Sequence, residues 1–105
     1  MIDLIKKIVE KLKDVKASDI QIYNLGNKSP FYEYVIICSA SSRQSSGAIG
    51  KIKDIEELQI KNIEGKGGAW VLIDCHNIII HIFSEENRKY YALDMMLLGF
   101  DRIEI

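Results

Sequence analysis

Between residues 70 and 83 the chain reads Trp70-Val71-Leu72-Ile73-Asp74-Cys75-His76-Asn77-Ile78-Ile79-Ile80-His81-Ile82-Phe83. Two apolar, β-branched runs flank a pair of turn-competent residues, which predicts a hairpin with a two-residue loop at His76-Asn77. That register sets Cys75 opposite Ile78, Asp74 opposite Ile79, Leu72 opposite His81 and Trp70 opposite Phe83. Side chains alternate faces along a strand. One face therefore carries Val71, Ile73, Cys75, Ile78, Ile80 and Ile82, all apolar, and is core. The other carries Trp70, Leu72, Asp74, Ile79, His81 and Phe83. Aromatics mixed with a few polar groups suit a protein-binding patch. The same mixture suits a face partly covered by a helix, with Asp74 wet near the strand end. Both readings stand on the sequence, and a three-residue loop would upset the sorting that underlies them.

Upstream of the hairpin, Tyr34-Val35-Ile36-Ile37-Cys38 is continuously apolar, as a central strand covered on both faces requires. Ser41, with Gln44 three residues later, matches a capping box, in which hydroxyl and amide satisfy orphan backbone N–H groups. The spacing of Ala48, Ile52, Ile55 and Leu58 or Gln59 predicts that this helix runs to about Asn62. Gly65-Lys66-Gly67-Gly68 reads as a flexible break before the hairpin. Nearer the start, Ile5, Ile8, Val9 and Leu12 recur at helical spacing with lysines between them, predicting a helix over residues 2–14. Residues 19–25 suggest a half-buried strand, and Gly26 to Pro30 is turn chemistry. Beyond the hairpin, Ser84 caps a third helix with Glu85 and Glu86 in its first turn, where the helix dipole favours acids. Tyr90, Leu93 and Leu97 form its predicted inner stripe, Gly99 its stop, and Arg102 to Ile105 a further edge strand. The expected architecture is one α/β domain over residues 1–105. It is a mixed sheet flanked by helices, in the order α-β-β-α-β-β-α with an optional last strand.

Bulk properties narrow the function. The 105 residues are 48% hydrophobic and 28% charged, the mixture of a folded domain, and the formal net charge of −1 offers no basic excess for gripping phosphates. We therefore expect no direct sequence-specific nucleic-acid binding. No segment approaches the roughly 18 apolar residues a membrane span needs, and no secretory signal is evident, so the expected location is the cytoplasm. Cys38 and Cys75 then read as reduced, buried thiols.

Catalytic constellations are not evident either. His76 reads as a solvated turn residue and His81 as a structural imidazole. Asp74, Cys75 and His76 cannot face one metal from a regular strand. Cys75 and His81 fall on opposite faces, against a nucleophile–base pair. The Gly65–Gly68 stretch precedes a strand, not the helix a phosphate cradle uses. Only Glu33 or Glu64 offers Asp74 a second acid. The expectation is a protein that is not an enzyme and uses no cofactor or metal. The competing reading is a nucleotide-binding or nucleotidyltransferase-type enzyme, which paired metal-binding carboxylates would have favoured.

Taken together, Tyr34-Val35-Ile36-Ile37-Cys38-Ser39-Ala40-Ser41-Ser42-Arg43-Gln44, Glu64-Gly65, Trp70 to Asp74 and Ile78 to Phe83, continued by Arg88, Tyr91 and Leu93, resemble the ribosomal silencing factor or Iojap family. The resemblance covers nearly the whole chain. Glu33 stands where the family usually has Asp, His76-Asn77 where it has Gly-Asp, and Leu97 where a tryptophan is common. The resemblance implies a nucleotidyltransferase-like sheet without catalytic carboxylates. It also implies docking on ribosomal protein L-fourteen of the large subunit, which sterically blocks small-subunit joining and represses translation. Homodimers are implied as well. By position, the docking surface would draw on Trp70, Asp74, His81 and Tyr91, with Glu64 and Phe83 nearby. Acidic members would meet a basic ribosomal protein, which mainly sets encounter and register, and Trp70 would be the anchor.

Overall fold

A computed structural model describes all residues, Met1–Ile105. The elements run α1 (Ile2–Asp14), β1 (Ser18–Asn24), β2 (Tyr34–Ser39), α2 (Ser42–Lys53), β3 (Asn62–Glu64), β4 (Trp70–Cys75), β5 (Ile78–Phe83), α3 (Glu85–Tyr91), α4 (Leu93–Met96) and β6 (Asp101–Ile103). One six-stranded mixed sheet results, in the order β3-β4-β5-β2-β1-β6. The β2 and β5 strands are parallel, and every other pairing is antiparallel. Both central strands are buried along their whole length, as their unbroken apolar runs require. No helix is long and apolar enough to cross a membrane.

Alternation along the strands feeds two cores. On one face Ile36, Cys38, Val71, Ile73, Ile80 and Ile82 pack beneath α1 and α2, whose Ile5, Ile8, Leu12, Ala48 and Ile52 are almost fully buried. Each such Ile or Leu contributes about 1.5–3 kcal/mol relative to exposure. On the other face a smaller core joins Tyr23, Val35, Ile37, Ile79 and Phe83 to Leu97 from the C-terminal segment. The α2 start is the predicted capping box: Gln44 N–H donates to Ser41 Oγ (3.1 Å) and Ser41 N–H to Gln44 Oε1 (2.7 Å).

Three sequence expectations need correction. First, α2 ends at Lys53, not near Asn62. Ile55 and Leu58 are buried as their spacing suggested, but on tight turns, where Ile55 N–H donates to Ile52 O and Leu58 N–H to Ile55 O. Lys61 N–H then donates to Asp74 O, and residues 62–64 form an extra edge strand against β4. The backbone groups on the outer edge of β4 favour this pairing, because buried ladder groups left without partners are costly. Second, Gly65–Gly68 is a defined turn. Gly68 N–H donates to Gly65 O (2.9 Å), and Gly65 and Gly67 adopt φ of +79° and +80°. Third, the last helix is not continuous. Ala92 adopts a left-handed conformation (φ 51°, ψ 39°) that ends α3 and turns the chain into α4. Leu97 does reach the core, but Tyr90 is 81% exposed and Arg88 takes the buried position.

Candidate functional site

The hairpin forms in the expected register, with Trp70 opposite Phe83, Leu72 opposite His81, Asp74 opposite Ile79 and Cys75 opposite Ile78. His76 supplies the positive φ (65°) that a two-residue hairpin turn needs. Trp70 and His81 project from the same face and bond directly: indole Nε1–H donates to His81 Nδ1 at 3.0 Å. An imidazole that accepts at Nδ1 carries its proton on Nε2. Burial pushes the His81 pKa down to about 4, so the ring is neutral at pH 7.

Beneath this pair lies Phe83, fully buried and stacked on the indole (centroids 4.9 Å apart, 28° between planes). Phe83 is thus a floor for the site and does not itself reach the surface. His81 is 9% exposed, so only an edge of its ring is reachable. Tyr91, 48% exposed, closes the other side with its ring 4.7 Å from the indole, and Tyr90 meets Tyr91 edge-on at 5.1 Å. Trp70 is half-buried between them. The mixed face of the hairpin is therefore partly covered: its inner half is core, and its outer edge is an open aromatic surface.

Acidic groups border that surface. Asp74 is half-buried and already engaged, its Oδ2 accepting from Tyr32 O–H (2.9 Å) and its Oδ1 from His76 N–H (3.1 Å). The second bond is an Asx turn that ties the carboxylate to the hairpin loop. Burial first, then the bond to Asp74, raises the Tyr32 pKa. Glu64 lies exposed on β3, paired with Leu72, and accepts from Asn62 Nδ2 (3.1 Å). Because β3, β4 and β5 pair residue for residue here, Glu64, Leu72 and His81 form one row on this face. Gly65 connects Glu64 to the hairpin, and a Cβ there would lie 2.1 Å from Trp70 O, so only glycine fits.

The thiols take no part. Cys75 joins the helix-covered core on the other face of the sheet from His81, and Cys38 is likewise buried and free. Burial pushes both thiols up to about 12, leaving them un-ionised and poorly nucleophilic. No three His, Cys, Asp or Glu side chains converge anywhere in the chain.

Sequence reasoning missed several contributors. Tyr32 sits in a loop 42 residues from Asp74, and no local signal marks it. Arg88 is buried, although the predicted inner stripe of Tyr90, Leu93 and Leu97 left it out. Tyr90 on α3, Met95 and Met96 on α4, and Leu98 just beyond it are all more than two-thirds exposed.

A mixed sheet that offers a preassembled aromatic edge with acidic borders defines a small α/β protein with a candidate binding surface. Comparison with known families makes this specific. The family model described as "Ribosomal silencing factor during starvation" matches residues 1–103, and the chain belongs to the ribosomal silencing factor family. That is a family of ribosome silencers, not of enzymes. The ribosomal silencing factor RsfS of Zymomonas mobilis is 37% identical over 98 residues, covering 89% of this chain and 74% of its own. That of Bacillus subtilis is 33% identical over 88 residues, covering 79% and 75%. The chloroplastic protein Iojap of Arabidopsis thaliana is 29% identical over 92 residues, 84% of this chain but 39% of its own. A crystal structure from Bacillus halodurans superposes with a TM-score of 0.84 over the full length of both chains at 25% identity.

Proposed function

We propose that residues 1–105 act as one silencing domain in the cytoplasm. It docks the Trp70–Tyr91 surface on ribosomal protein L-fourteen of the large subunit. The bound domain then blocks small-subunit joining sterically and so represses translation. The observation that carries this reading is the half-buried Trp70, held by His81, Phe83 and Tyr91 in one orientation. A preorganised indole loses little freedom on binding, which is how aromatic anchors dominate interface energetics. Glu64 and Asp74 on the same face of the sheet complement a basic ribosomal protein and set approach and register. His81 contributes by holding the indole and Phe83 by supporting it from below.

Co-sedimentation with purified subunits tests the proposal. The protein should pellet with large and not small subunits, and should inhibit their joining. Trp70→Ala should weaken binding by about 2 kcal/mol or more, roughly thirtyfold in affinity. A folded Trp70→Ala variant that pellets as well as wild type refutes the assigned surface. Self-association is a second reading, favoured by the exposed Tyr90, Met95, Met96 and Leu98. Light scattering tests it, and a strict monomer at high concentration refutes it.

A further inference from the structure

Arg88 is the most connected side chain outside the aromatic surface. It is 8% exposed on α3, and its guanidinium reaches three other segments. Nε and Nη2 donate to Asp94 Oδ2 and Oδ1 at 3.1 and 3.0 Å, a bidentate fork across the Ala92 break. Nη1 donates to Asp19 O (2.7 Å) and to Ser39 Oγ (3.0 Å), and Nη2 lies 3.5 Å from the Asp19 carboxylate. Asp19 sits in the irregular stretch of β1 with φ of 49°, and Ser39 ends β2. One side chain thus pins the elbow between α3 and α4 to two strands of the sheet.

Such a fork adds little net stability, because desolvating both charges offsets most of their attraction. What it does supply is geometry. Arg88 and Asp94 bracket Ala92, whose left-handed backbone directs the chain, and Tyr91 immediately precedes it. The ring of Tyr91 forms the open wall against Trp70 and stands 6.3 Å from Phe83. We propose that Arg88 is a positioning residue for ribosome docking: its fork on Asp94, anchored to Asp19 and Ser39, sets the α3–α4 elbow so that Tyr91 lies against Trp70. The docking consequence rests on the function proposed above; the geometric consequence does not.

Trp70 is the only tryptophan, so its fluorescence reports the site alone. In the full chain, Arg88→Met should increase acrylamide quenching of Trp70 and change its near-ultraviolet circular dichroism, measured well below the melting temperature. Binding to large subunits should fall about tenfold, within the coupling range of contacting groups. On a Tyr91→Ala background the same substitution should change binding little, because Arg88 acts through Tyr91; a general loss of stability would add instead. Arg88→Lys keeps the charge without the fork and should also expose Trp70, which serves if Arg88→Met does not fold. Unchanged quenching in both folded variants, or full additivity with Tyr91→Ala, overturns the inference. If Trp70→Ala leaves subunit binding intact, the docking function fails, and the quenching measurements still decide the role of Arg88.

Discussion

Acid should loosen this protein through one side chain. His81 accepts the indole N–H of Trp70 at Nδ1, so a proton arriving there sets two donors against each other. Burial holds its pKa at about 4 against an ordinary 6.5. The folded-state value is the lower one, so between these pH values the unfolded chain binds more protons, and stability rises with pH through that window. The contribution is complete above the ordinary value and is lost as pH falls toward the depressed one. At about 1.4 kcal/mol per pKa unit the whole effect is about 3 kcal/mol, and about 2 kcal/mol is lost between pH 7 and pH 5. Urea denaturation at pH 7, 6 and 5 measures it, with His81→Phe as the comparison. The variant keeps every other titrating group, so the difference between the two pH slopes isolates this imidazole. Wild type should lose about 2 kcal/mol more than the variant over that range. Equal slopes would refute the buried, neutral, indole-bound histidine.

Other substitutions probe the supports of the same surface. Gly65→Ala should cost about 2 kcal/mol or more, since its Cβ would meet Trp70 O at 2.1 Å on a backbone with φ of +79°; an unchanged urea midpoint would contradict that packing. Asp74→Ala should cost about 1 kcal/mol through the lost Tyr32 and His76 bonds. It should also lower the phenol pKa of Tyr32, which ultraviolet titration against a Tyr32→Phe control would reveal. Ser41→Ala removes half of the α2 capping box and should destabilise by about 1 kcal/mol without changing subunit binding, so a binding defect in that folded variant would mean that α2 takes part in docking.

The candidate site was legible to the extent that it depends on local pattern. Alternation along Trp70–Phe83 sorted the faces correctly, because a two-residue turn leaves one register that buries the aliphatic set. It did not show that Phe83 is sealed, since Tyr91 and Leu97 reach it from segments that follow the hairpin. Glu64 was matched to the site by resemblance, but its place beside Leu72 needed β3, which helical spacing at Ile52, Ile55 and Leu58 had masked. Tyr90 was misassigned because an uninterrupted helix was assumed through Ala92.

From the chain alone come the central apolar strand, the hairpin register, the capped helix starts at Ser41 and Ser84, and two thiols placed within apolar strands. Each follows from interactions among residues a few positions apart, which composition and periodicity encode directly. Tertiary structure decided where α2 stops, how the C-terminal helix bends and what orients Tyr91. Those outcomes turn on partners far along the chain: Asp74 O pairing Lys61, Tyr32 holding Asp74, and Arg88 reaching Ser39 and Asp19 across 49 and 69 residues. A buried arginine finds its acceptors only once the sheet has brought them together, so no local spacing announces it.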